Sequence, residues 1–183
     1  MEPVTTDPKG ESFTTGEANT SALATKQQLT DMAWYVTGFV DGEGSFLVSF
    51  SKRPSLKTGL EVRPSLSVSQ HKRNLRILQR IQALLCCGGI RFDQHDQTYK
   101  FEVRSLHDLS SKVIPYFRKY PLQTTKAQDF ERFVDICLLM KANRHRVRDG
   151  LEQILSIAYS MNNLGARRQS IADLLQVVGK MKV

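Results

Sequence analysis

No stretch of this 183-residue chain approaches the ~20 consecutive apolar residues that a membrane-spanning helix needs. Cysteine is scarce. Cys86, Cys87 and Cys137 are odd in number and form no CxxC spacing, which excludes a fully paired disulfide framework and a zinc ribbon and fits a reducing compartment. Their apolar, helical surroundings make them small core residues rather than reactive thiols. His71, His95, His107 and His145 share no metal-ligand spacing. The first 25 residues lack the apolar core of a secretory signal, so the protein is not expected to be secreted. They also carry acids without arginine, unlike an organelle transit peptide, so a protein of this kind working in an organelle is expected to be made there. Otherwise a prokaryotic cytoplasm fits. Acidic residues are in deficit too: 18 Asp and Glu against 26 Lys and Arg give a formal charge of +8. That excess favours polyanionic partners, although charge alone fits an evenly solvated basic surface equally well.

Residues 1 to 25, rich in Thr, Ser, Gly, Glu and Pro, read as a flexible tail, and residues 26 to 183 as a single domain. Thr30 or Asp31 is placed to cap a first helix through Trp34, Tyr35, Val36, Phe39 and Val40, stopping at Gly42-Glu43-Gly44. Trp34 and Tyr35 read as core or interface packing. Phe46, Val48 and Phe50 then alternate with polar positions, and so do Val62, Pro64, Leu66 and Val68 after a turn at residues 53 to 59. Pro64 suits an edge position. A helix over Leu75 to Leu85 ends at Gly88-Gly89, and a second hairpin pairs residues 90 to 93 with 99 to 104. Helical patterns return around residues 106 to 117, 125 to 143, 149 to 161 and 170 to 178.

The two hairpins are expected to join into one antiparallel sheet, its apolar face covered by helices and its polar face open, in an α+β fold. That open face carries Ser49, Ser51, Arg53, Glu61, Arg63, Ser65, Ser67, Arg91, Asp93 and Lys100. Such donors, acceptors and cations suit base edges and phosphates in a major groove, which admits a β-ribbon. By itself the pattern also describes a solvated sheet face. The basic runs Lys141 to Arg148 and Arg167-Arg168 read as solvated, or as lying along a phosphate backbone.

Asp41 and Glu43 stand at the end of the first helix, where Gly38 and Gly42 lie four apart on one side. Small residues at that spacing allow two helix backbones to approach closely. Two identical helices meeting there would bring two copies of Glu43 together, with Gly42 carbonyls, as hard-oxygen ligands suited to Mg2+. A magnesium ion so placed suits phosphodiester hydrolysis. Taken alone, the segment reads equally as an ordinary glycine-containing helix terminus with an incidental acid.

The segment Val36-Thr37-Gly38-Phe39-Val40-Asp41-Gly42-Glu43-Gly44-Ser45-Phe46 resembles the defining motif of the LAGLIDADG homing endonucleases. The resemblance spans residues 29 to 165 and includes Val68-Ser69-Gln70-His71, Tyr120 to Phe130, and Gly150 through Met161-Asn162. It implies an αββαββα subunit. Because one motif copy is found, it also implies a homodimer that cuts both strands of a long, nearly palindromic double-stranded DNA site with Mg2+ and moves the intron encoding it. By position, Glu43 resembles the metal-binding carboxylate, Gly42 a carbonyl donor, Asp41 the motif acid, Gln70 the residue that orients solvent and Lys126 the charge-stabilising cation, with Lys119 its substitute. Gly38, Gly42 and Thr37 resemble the dimer contacts. Thr37 stands where the family usually has Ala, Glu43 where Asp is commoner, and Asn74 where some relatives place an Arg, a role then left to Arg73 or another cation. Two rivals share the fold: an intron maturase that binds structured RNA, and a DNA-binding protein that does not cut.

Overall fold

The computed structural model describes Thr5–Thr6, Ser12–Phe13, residues 15–161 and residues 169–179, with side chains from Thr25 onward. Arg167-Arg168 and Asn162 fall outside the described residues. By internal packing the chain divides into two units, Met1–Val36 and Thr37–Val183, so the boundary falls within the first helix. Of the segment expected to be a tail, residues 1–4, 7–11 and 14 lie outside the described residues. Within it β1 (Thr5–Thr6) pairs antiparallel with β2 (Ser12–Phe13), and from Thr15 the backbone is helical.

That helix, α1 (Thr15–Glu43), starts well before the expected cap. Ala18, Ala22, Leu23, Ala24, Lys26, Gln27, Gln28 and Leu29 all favour helix, and their summed propensity carries the helix through the polar segment. Thr30 donates its hydroxyl back to the Lys26 carbonyl at 3.0 Å, and Asp31 accepts from Gln27 at 2.8 Å. Both residues serve the helix interior and neither caps it. Trp34 and Tyr35 are exposed, so neither is a core residue of this chain.

In Thr37–Val183, α1 passes directly into β3 (Gly44–Lys52), with no intervening loop. Glycine is required at that junction, because a Cβ on Gly44 would fall 2.7 Å from the Val40 carbonyl oxygen. β3 pairs with β4 (Leu60–His71), β4 with β6 (Thr98–Val103), and β6 with β5 (Gly89–Asp93), giving an antiparallel sheet in the order β3-β4-β6-β5. Both expected hairpins are present, joined through β4 and β6. Pro64 sits in a central strand, yet β6 reaches along β4 only as far as Leu66, so at Pro64 the strand has β3 alone as neighbour. The missing N–H is therefore tolerated as at an edge.

One sheet face is apolar and covered. Phe46, Val48, Leu66, Val68, Phe101 and Val103 are buried on it. Helix α2 (Leu75–Leu85) packs on β4, β5 and β6, and α5 (Lys126–Lys141) packs on β3 and β4. Phe46 is the centre of an aromatic cluster, with ring centroids 5.6 Å from Phe117, 5.2 Å from Phe130 and 5.2 Å from Phe133. Edge and tilted contacts of this kind add to the area they remove from water. Phe117 belongs to a helical segment that runs from α3 (Leu106–Asp108) through a π-helical turn (Leu109–Val113) into α4 (Ile114–Lys119). α6 (Arg148–Tyr159) packs on α5, and α7 (Ile171–Gly179) on α6. Among the cysteines only Cys137 is fully buried, and burial pushes its thiol up to about 12. Cys86 is exposed at the left-handed end of α2, unlike the buried residue the sequence suggests.

Candidate active site and nucleic-acid interface

The end of α1 sorts its residues onto two faces. Thr37 and Asp41, four apart, turn inward and are 2% and 8% exposed. Gly38 and Gly42, one residue later in each case, turn outward, and a Cβ built on either would meet nothing within 4 Å. Thr37 places its hydroxyl 3.3 Å from the Tyr120 carbonyl and 3.4 Å from the Tyr116 phenol, which burial pushes up to about 12. It is a fold contact within its own chain, which corrects its placement with Gly38 and Gly42 on the dimer face. A step of one residue rotates a side chain by about 100°, and that separates the two sets.

Asp41 and Glu43 have different partners. The Asp41 carboxylate accepts the Gln123 N–H at 2.9 Å, the Thr124 N–H at 3.0 Å and the Thr124 hydroxyl at 2.6 Å. It thereby ties the loop before α5 to the end of α1. Thr124 in turn accepts the Lys126 N–H at 3.2 Å, and Lys126 donates from Nζ to the Val40 carbonyl at 3.0 Å. Lys126 is the cation that reaches the helix end. Lys119, the substitute, instead lies 5.3 Å over the Tyr120 ring.

Glu43 is exposed and makes no ion pair among the described residues. Its Oε2 accepts a hydrogen bond from Gln70 Nε2 at 3.2 Å, and Gln70 Oε1 accepts one from Asn74 at 3.1 Å. The Asn74 amide therefore fixes which end of the Gln70 amide faces Glu43. Arg73 turns elsewhere, with Nε 3.2 Å from His71 Nδ1. Glu43, Gln70 and Lys126 thus gather around one helix end, while Asp41 is consumed as an anchor. Sequence reasoning missed Gln123 and Thr124 as its partners, and also the link from Asn74 to Gln70.

Burial pushes the Lys126 ammonium below its ordinary range, against the pull of the Asp41, Glu43 and Asp129 carboxylates. In the unfolded chain the amine returns to its ordinary range. Between the lowered folded value and that range the unfolded state holds more protons, so this group makes stability rise with pH across the interval. Denaturant melts of the protein and of Lys126→Met through the alkaline range check this: the stability difference, wild type minus variant, is expected to grow as pH rises. A flat or shrinking difference contradicts it.

The polar residues expected on the open sheet face lie on it as one continuous stripe. In register, Ser49 faces Arg63 and Ser51 faces Glu61 across β3 and β4, Ser67 faces Glu102 across β4 and β6, and Lys100 faces Arg91 while Thr98 faces Asp93 across β6 and β5. Arg53 sits in the turn beyond β3, with its Nε 2.9 Å from Glu61, which also accepts from Arg63 at 2.7 Å. These two arginines hold the Glu61 carboxyl below its ordinary range, with the Arg63 hydrogen bond the largest cause. Ser65 and Ser67 are on the stripe but only 8% and 6% exposed, so they form its floor. Asp93 accepts the His95 N–H at 2.9 Å and so serves the β5–β6 turn as well. The sequence reading omitted Glu102 and Arg104, which the alternation Lys100, Glu102, Arg104 already marks as facing outward. The basic run occupies the end of α5, the Arg144–Arg146 turn and the start of α6, with Arg144 and Arg146 exposed.

Comparison with known proteins follows the same outline. The model of the LAGLIDADG endonuclease family matches residues 36–137. Probable intron-encoded endonuclease 2 of Neurospora crassa is 34% identical over 129 residues, covering 70% of this chain and 28% of that protein. The chain thus spans about a quarter of the length of such curated relatives. The crystal structure of the homing endonuclease I-TnaI superposes with a TM-score of 0.70 at 35% identity, covering 81% of this chain and 96% of that one. The I-LtrWI LAGLIDADG homing endonuclease bound to target DNA gives 0.73 at 33% identity, covering 76% and 47%.

Proposed function

Because the chain belongs to the LAGLIDADG endonuclease family, we propose that two copies pair through the Gly38 and Gly42 face of α1 and cut both strands of a long, near-palindromic DNA duplex, with Mg2+ as cofactor. One observation carries this reading: an exposed carboxylate, Glu43, bound among the described residues only to the Gln70 amide, stands at the end of α1 next to two outward-facing glycines, Gly38 and Gly42, in a domain whose open sheet face carries several cations. The match to only 47% of I-LtrWI supports pairing, since that chain has room for two such units.

Among the described residues no three acidic, histidine or cysteine side chains lie together as a metal cage. One subunit offers the Glu43 carboxylate and the Gly42 carbonyl, too few oxygens for a hard cation, and a two-fold pair doubles them. The donor chemistry therefore fits Mg2+ at a shared site. When bound, the ion would polarise the phosphate and acidify a water. Gln70, held by Asn74, would orient that water, and Lys126 would offset charge accumulating on the phosphate. The sheet stripe would enter the major groove, with its arginines and Lys100 on phosphates and guanine edges. Each copy would meet one half-site. The same reading places the gene in a mobile intron and the protein in the organelle that carries it, or in a prokaryotic cytoplasm. Among the described residues no helix is long and apolar enough to cross a membrane.

The test is cleavage of a randomised duplex library with Mg2+ against the same library with chelator, alongside sizing of the DNA complex. Metal-dependent double-strand breaks by a two-copy complex are expected. Binding without cutting, or a preference for structured RNA, would favour the rivals, and a single copy on DNA would overturn the pairing.

A further inference from the structure

The carboxylate of Glu102 occupies an unusual place on the reading face. It lies in β6 between Ser67 of β4 and Gly89 of β5, its partners in register, so small residues flank it on both sides. Its side chain is only 9% exposed although it belongs to the open face. Three longer cations close over it. Arg104 Nε lies 2.9 Å from Oε2, Arg91 Nη2 lies 3.2 Å from Oε2, and Lys100 Nζ lies 3.4 Å from Oε1. Lys100 comes from position i−2 of the same strand, Arg104 from position i+2 just past the strand's end, and Arg91 from the neighbouring strand on the diagonal, all reaches a β-sheet face permits.

We propose that Glu102 is a positioning residue that presets Arg91, Lys100 and Arg104 to read a guanine-bearing segment of each half-site, so that it sets sequence specificity without touching DNA. This rests on the DNA-cutting reading above. Arg104 is held through Nε and Arg91 through one Nη, so each keeps N–H donors directed away from the carboxylate. Guanine presents two acceptors, O6 and N7, in the major groove, and a fixed guanidinium is matched to that pair. Sunk beneath its partners, Glu102 itself is too deep to accept from a cytosine amine. It also cancels one of three positive charges, and that restrains sequence-independent attraction to phosphates. Glu61 with Arg53 and Arg63 repeats the device on the other hairpin, but its carboxylate is more open, with 32% of the side chain exposed. The buried member of the pair is the one that acts only through its partners.

Selection of bound duplexes from a randomised library without divalent metal, followed by binding at several salt concentrations, tests this in the full chain and in Glu102→Gln. The carboxamide keeps the shape and loses the charge. Wild type is expected to enrich guanine at a few contiguous positions of each half-site. The variant is expected to lose that preference about tenfold or more, to bind unrelated duplex more tightly, and to steepen the slope of log affinity against log salt by about one. A folded variant with the wild-type sequence preference and salt slope overturns the role of Glu102 and leaves the nuclease reading standing. A wild type that selects no duplex at all overturns both. Should Glu102→Gln not fold, Arg91→Gln and Arg104→Gln must each blunt the preference at the same positions, and an unchanged preference in both overturns the proposal.

Discussion

Replacing Glu43 with Gln is expected to lower the rate of double-strand cutting by at least about a thousandfold while leaving duplex binding intact. The carboxylate is exposed, and its only hydrogen bond among the described residues comes from Gln70 Nε2, which a Gln side-chain oxygen also accepts. On the proposed reading, loss of charge removes the anionic ligand that a hard cation needs, and it opens no cavity and strands no buried group. Thermal stability should therefore move by no more than about 0.5 kcal/mol, as for other exposed substitutions. Binding should hold or tighten, because a negative charge beside the phosphates is gone. Time courses of cleavage and equilibrium binding on the same duplex decide the matter. Persistent cutting would remove Glu43 from the metal site, whereas a parallel loss of binding would make it a docking residue.

Much of the fold was legible because strand alternation is local. Phe46, Val48 and Phe50 announce their face within six residues, and the turn residues after Lys52 set the hairpin. The start of α1 was less legible, since Thr30 and Asp31 are good caps and equally tolerable helix interior residues when back-bonded to Lys26 or bonded to Gln27. At the site, Glu43, Gln70 and Lys126 were named from the motif order and are brought together. Thr37 was misplaced because its partners, Tyr116 and Tyr120, lie 79 and 83 residues on, and no local pattern reveals them. Ser65 and Ser67 were on the right face at the wrong depth. Parity assigns a face, whereas depth depends on how far neighbouring side chains reach over a short one.

The same long reach makes Asp41 the larger stability prediction. Removing its carboxylate in Asp41→Ala strands the Gln123 and Thr124 N–H groups and the Thr124 hydroxyl in a part-buried loop. Charged acceptors of this sort contribute about 1.5 to 3 kcal/mol each when counted singly, but three bonds to one loop are not additive, so about 3 kcal/mol is expected for the set. For a chain of this size that lowers the melting temperature by roughly 6–12 °C. Asp41→Asn keeps one oxygen for the two N–H groups, and the Thr124 hydroxyl is able to accept from its amide, so most of the loss should be recovered. Cutting should fall in Asp41→Ala as well, for a reason distinct from Glu43: the loop that delivers Lys126 to the Val40 carbonyl is released. Differential scanning calorimetry of the two Asp41 variants beside Glu43→Gln separates the roles. If Asp41→Ala melts with the wild type, the anchor is unimportant. If Glu43→Gln melts early while Asp41→Ala does not, the division of labour between the two acids is reversed.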